Sequence, residues 1–172
     1  MGKKSVKENK SRMQLSREKA GLTREKASEA MVYISDDRID KLERGILQPR
    51  PEEIVSMAET YKDPELCNYY CSHECPIGQK YVPEVKLKEL SQITLEMISA
   101  LNSMDDEKKR LIDIAVDGTI TEDEKTDFAK ISNKLDQIAL SVSSLKMWLD
   151  NLRLTQNIEV QDTLTSPAST RL

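Results

Sequence analysis

Histidine occurs once in these 172 residues, phenylalanine and tryptophan once each, and aromatic side chains make up only 4% of the chain. With a single imidazole, no nucleophile motif and only five glycines, none in a phosphate-cradling loop, nothing in the sequence is equipped to carry acid–base, nucleophilic or phosphoryl-transfer chemistry, and an enzyme is not expected. No apolar run is long enough to cross a bilayer, and the opening MGKKSVKENK lacks the apolar core of a signal peptide, so a cytoplasmic protein without membrane contact is expected. Three cysteines fall between residues 67 and 75, which is no disulfide framework.

What is present is charge and helical periodicity. Charged residues are 33% of the chain and the formal net charge is −4. Residues 1–62 hold 14 Lys and Arg against 11 Asp and Glu, whereas the remainder holds 12 against 19. The first 26 residues carry nine cations against three anions, so residues 1–10 read as a basic, flexible arm able to track phosphates.

The stretch Gly21–Gly45 organises the rest. Ser11 to Ala20 reads as a first helix, with Met13 and Ala20 turned inward together with Leu22. Thr23 can cap a second helix whose Ala27 and Met31 share a face. Ser35, followed by Asp36 and Asp37, is another start signal, since carboxylates are favoured at a helix N-terminus. On that helix Ile39 and Leu42 point inward while Asp36, Asp37, Arg38, Asp40 and Lys41 point outward, and Gly45 ends it. Pro51-Glu52-Glu53 opens a fourth helix carrying Ile54, Ala58 and Tyr61.

Gly21-Leu22-Thr23 and Ile39-x-x-Leu42-Glu43-Arg44-Gly45 resemble the Cro/cI-type repressors, the XRE family, over about residues 11–62. The resemblance implies a lambda-repressor-like helix-turn-helix head, a structural ion pair between Arg17 and Glu43, a phosphate contact from Arg24, and base-facing positions at Asp36, Asp37 and Lys41, with Ser35 and Arg38 flanking the backbone. A dimer that reads two half-sites on double-stranded DNA is expected, because one small head buries too little DNA for useful specificity. The chain departs from the family in having no glycine in the turn, one extra residue between Thr23 and Glu43, and acidic residues where Gln, Arg, Ser or Asn are usual. Carboxylates are repelled by phosphates, and their base-specific use is to accept from the cytosine amino group. A protein-interaction module built on the same head is therefore the competing expectation.

Beyond the head, residues 63–83 read as a cysteine-bearing helix and linker. Cys67, Cys71 and Cys75, spaced four and four, form a stripe on a continuous helix, suited to burial or else to a metal ion or iron–sulfur cluster. His73 lies on another face and reads as a surface or hydrogen-bonded residue. PIGQKYVP, residues 76–83, reads as a linker. Residues 84–154 read as a helical hairpin or three-helix bundle serving dimerisation, with a possible protein partner. A helix over 84–103 carries Leu87, Leu90, Ile93, Met97, Ile98 and Leu101, with Met104 continuing their spacing just past its end, and a shorter one carries Leu111, Ile112 and Ala115, with Ile114 and Val116 packing inward. Asp113, Asp117, Gly118 and Glu124 match part of a calcium loop, but Ala115 offers no side-chain oxygen, and Gly118 with Thr121-x-x-Glu124 is accounted for by helix capping. Finally Phe128, Ile131, Leu135, Ile138, Val142, Leu145, Leu149 and Leu152 form a heptad seam of about four repeats, with Trp148 beside it. Residues 155–172 have no pattern and read as a disordered tail.

Overall fold

The computed structural model describes residues 10–116 and 121–156; most of the basic arm, the Asp117–Gly118 stop and most of the tail lie outside the described residues. All regular structure among the described residues is helical, so the chain is all-α. Four helices come first, α1 (Arg12–Lys19), α2 (Arg24–Met31), α3 (Asp36–Glu43) and α4 (Pro51–Tyr61). Each of the first three starts where a hydroxyl can take an otherwise unpaired backbone N–H: Ser11 accepts from Gln14, Thr23 from Lys26 and Ser35 from Arg38. Met13, Ala27, Met31, Ile34, Ile39 and Leu42 close over Ile54, Met57 and Tyr61 of α4 to form one core. Ala20, expected inward, is exposed because α1 ends at Lys19 and the chain turns away at Gly21, whose φ is +72°.

The turn between α2 and α3 is built without glycine. Val32 sits at φ 58°, ψ −41°, and the Tyr33 amide donates to the Met31 carbonyl at 2.6 Å. This is the rarer, positive-φ form of the γ-turn, imposed on a β-branched residue. Ile34 is thereby driven into the core while the Val32 side chain stays 90% exposed. Nothing is gained by the valine that would offset the backbone strain, which costs on the order of 1–3 kcal/mol. Val32→Gly is expected to raise the unfolding free energy by about 1 kcal/mol after the entropic cost of glycine is deducted. A denaturant midpoint equal to or below that of the parent would refute the strain.

Past Tyr61 come α5 (Glu65–Tyr69), a π-helical turn (Tyr70–Glu74) and the short α6 (Gly78–Tyr81). The expected 76–83 linker is thus partly helical. Arg12 of α1 bonds Asp63 and Glu65, and Ser16 donates to Asp63 at 2.7 Å, which fixes α5 to the head.

The C-terminal part contains α7 (Leu90–Ser103), α8 (Asp105–Ala115) and, after a 3-10 turn capped by the Thr121–Glu124 box, the 32-residue α9 (Lys125–Gln156). The helix expected from residue 84 begins only at Leu90. Side chains of α5 capture the backbone that would have formed its first turns: Asn68 bonds the Pro83 carbonyl at 3.0 Å and the Val85 amide at 2.7 Å, and Glu65 takes the Leu87 amide at 2.5 Å. α9 returns antiparallel along α7, with Lys134 Nζ at 2.7 Å from the Ser103 carbonyl. Ile131, Ile138, Leu111, Ile114 and Met104 form the small core at the α8 end. Ile112, Ala115 and Val116 are exposed, because α8 turns its Leu111–Ile114 edge to that core. Of the expected seam, Ile131 is buried and Ile138, Leu145, Leu149 and Leu152 partly so, whereas Phe128, Leu135 and Val142 lie open. No helix among the described residues is long and apolar enough to cross a membrane.

Candidate nucleic-acid interface

α3 has two chemically distinct faces. Ile39 and Leu42, 0% and 1% exposed, and Glu43 turn inward, while Asp36 and Asp37 stand in solvent. Glu43 is the buried anchor. Its carboxylate takes Arg17 in a two-pronged pair at 2.5 and 3.0 Å, and Arg17 also donates to the Leu22 carbonyl at 2.7 Å, tying α3, α1 and the loop before α2 together. Burial works against the Arg17 charge, but the hydrogen bond and field of Glu43 outweigh it and hold the guanidinium pKa above its ordinary value.

The same carboxylate also receives Arg24. That guanidinium reaches Glu43 at 2.8 Å and Asp40 at 3.0 Å, so the side chain expected to hold phosphate is turned onto α3 instead. Arg38 is likewise committed, bonding Glu53 with both prongs, the second at 2.8 Å. Glu53 in turn accepts from the Arg50 amide at 2.8 Å, and these donors, Arg38 first, hold its carboxyl below the usual carboxylate range against the opposing effect of burial. Ser35 spends its hydroxyl on the α3 cap. Lys41 reaches Asp37 at 2.6 Å and Arg44 reaches Asp40 at 3.2 Å, both exposed pairs one helical turn apart. Every cation on α3 therefore faces a carboxylate. Asp36 accepts the Asp37 amide at 2.9 Å and has no cation against it among the described residues.

Two cations near this face make no ion pair among the described residues, and the motif reading passed over both. Lys26 is exposed in the first turn of α2. Arg50 precedes α4 at the edge of a cavity of about 400 Å³ lined by Tyr33, Arg38, Arg50, Glu52 and Glu53, across which the Tyr33 hydroxyl donates to the Glu52 carbonyl at 3.2 Å. The only sequence signal for Arg50 is its place between two prolines, which marks a turn rather than a contact.

The cysteine stripe does not form one site. The α-helix gives way at Tyr70 to a π turn, in which the Cys75 amide reaches back to the Tyr70 carbonyl at 2.9 Å. Cys67 packs against the head core, and burial pushes its thiol up to about 11. Cys75 instead accepts from the Gly78 amide at 3.5 Å. Among the described residues no three His, Cys, Asp or Glu side chains are grouped to hold a metal ion, so the metal or cluster alternative for Cys67, Cys71 and Cys75 finds no grouping here. His73 stacks on Tyr69 with centroids 4.4 Å apart and its Nδ1 lies 2.8 Å from the Ser72 hydroxyl.

No family model, curated protein or solved structure matches the chain.

Proposed function

We propose that the chain is a sequence-specific, DNA-binding transcriptional regulator that works as a dimer, with α2, its γ-turn and α3 serving as the helix-turn-helix. The observation that carries this reading is the outer face of α3. Asp36 and Asp37 are exposed and Lys41 is half-buried, while the opposite face is locked in place by Ile39, Leu42 and Glu43. In this reading α3 enters the major groove. Asp36 and Asp37 accept from cytosine amino groups, and Lys41 exchanges Asp37 for a base or phosphate. That exchange is cheap, since an exposed pair one turn apart is worth only about 0.3–0.5 kcal/mol. Phosphate contacts fall to Lys26, Arg50 and the basic residues Lys3, Lys4 and Lys7, whereas Arg24 and Arg38 act as positioning residues, Arg24 tying α2 to Glu43 and Asp40 of α3 and Arg38 tying α3 to Glu53 of α4.

The pairing of every α3 cation with a carboxylate favours one other reading, a head that docks on a basic partner protein. Selection of duplexes from a random pool, followed by salt titration of the selected site, separates the two. The DNA reading expects affinity to fall steeply with salt, Lys26→Ala and Arg50→Ala each to reduce the logarithmic salt slope by about 1, and Asp37→Asn to relax the preference for cytosine. An empty selection at about 50 mM salt would hand the head to the protein-docking reading.

A further inference from the structure

The heptad seam is only half covered. Counting about 100° per residue, the α9 positions that meet α7 and α8 are centred near Ile138, and Phe128, Leu135 and Val142 form a line to one side of it. They are 39%, 46% and 39% exposed, and Phe128 and Val142 lie seven residues either side of Leu135. On α7 the half-exposed Ile98 and Leu101 lie to the corresponding side of its own contact line through Ile93 and Ala100. Because the two helices are antiparallel, both lines open on the same side and make one apolar face.

We infer that this face is the docking surface for a second copy of the chain, with α9 crossing its twin antiparallel and Leu135 on the two-fold axis. The choice of occupant rests in part on the two-headed reading above, and otherwise on two properties of the face. It is self-complementary: residues equally distant from Leu135 meet across the axis, which sets Phe128 against Val142 of the twin. Its size fits. Lys125 to Leu145, ten residues either side of Leu135, spans about 30 Å, α7 with its 14 residues spans about 21 Å, and each helix is roughly 10 Å wide, giving a footprint of about 500 Å². Counted on both partners this is about 1,000 Å², the total that a specific interface needs. Ser132 and Ala139, small and exposed beside the line, let the two backbones approach.

Sedimentation equilibrium of the full chain tests this, with an expected mass twice 19.6 kDa. Leu135→Lys, at a half-exposed position, is expected to leave the helical circular dichroism intact and weaken association at least 100-fold, whereas Leu135→Met retains the dimer. Leu135→Cys is expected to form an intermolecular disulfide under mild oxidation, in excess of any formed by the unmodified chain through Cys67, Cys71 or Cys75. A chain that remains monomeric at concentrations on the order of 100 μM overturns the inference, as does a dimer indifferent to Leu135→Lys. So does a chain that dimerises only after residues 157–172 are removed, since the tail would then be the occupant. A dimer that binds no duplex leaves this surface standing and removes the DNA reading; a monomer that binds duplex does the reverse.

Discussion

Glu43→Ala is expected to unfold the first four helices at room temperature while leaving α7 and α9 paired. The carboxylate is 1% exposed and is the common acceptor for Arg17 and Arg24, so its removal strands an Arg17 guanidinium that is itself only 8% exposed. Breaking one side of a buried pair costs roughly 3–5 kcal/mol, because the remaining charge keeps its desolvation penalty and loses its partner. A unit of this size has only about 3–8 kcal/mol of stability to lose. Arg17 cannot turn out to water without giving up its bond to the Leu22 carbonyl, which orients the loop before α2. Glu43→Gln, which keeps one acceptor oxygen but turns the other prong into an amide donor facing a guanidinium N–H, is expected to fall between parent and alanine. The double replacement Arg17→Met with Glu43→Leu is expected to recover most of the loss, since an apolar pair of similar volume has no charge to desolvate. Hydrogen exchange resolves the outcome by region: in Glu43→Ala the amides of Arg12–Tyr61 lose protection while those of α7 keep it. Retained protection across Arg24–Glu43 would show that the pair is dispensable.

That pair illustrates which parts of the structure are legible from the chain alone. Ser11, Thr23 and Ser35 each act on an amide three residues ahead, so their helices begin where a local rule puts them. Side chains whose partners are remote are a different matter. Arg24 and Arg38 look like free outward cations on any helical wheel, yet their carboxylates come from 19 and 15 residues further along the chain. A wheel gives direction but not what waits there. The same limit applies to α9. Its seven-residue period is plain in the sequence, but which half of the seam is covered depends on where α7 and α8 lie. The six residues of α7 that never became helical were lost to Asn68 and Glu65, acting from about 15 to 22 residues away. Acidic residues at the start of α3 are equally ambiguous: Asp37 caps charge, pairs with Lys41 and faces solvent all at once, and composition alone does not rank those roles.

The second large effect is expected at Gly78, within the stretch read as a linker. A Cβ on this residue would stand 2.0 Å from the Cys71 carbonyl oxygen, 2.6 Å from its carbon and 2.9 Å from its Cα. These are backbone atoms in a hydrogen-bonded π turn, so no rotamer change relieves the clash. Ordinary overpacking costs about 1–3 kcal/mol, and a clash this close against main chain belongs at or beyond the upper end. The chain has a less costly response than unfolding globally. α6 is four residues long and held to the π turn by the Gln79 amide on the Cys75 carbonyl at 2.8 Å, the Gln79 side chain on the His73 carbonyl, and the Gly78 amide on Cys75 Sγ. Gly78→Ala is therefore expected to detach α6 as a unit, leaving the main unfolding transition within a few degrees of the parent while exchange of the Gln79–Val82 amides accelerates at least 100-fold. The thiols report the same event. Cys75 loses the Gly78 amide and becomes accessible, whereas Cys67, whose thiol is pushed up to about 11 by burial against the head, remains slow to label. Parent-like exchange across Gln79–Val82 in Gly78→Ala would mean that the π turn yields instead of α6, and the close approach of these two segments would then have no structural consequence.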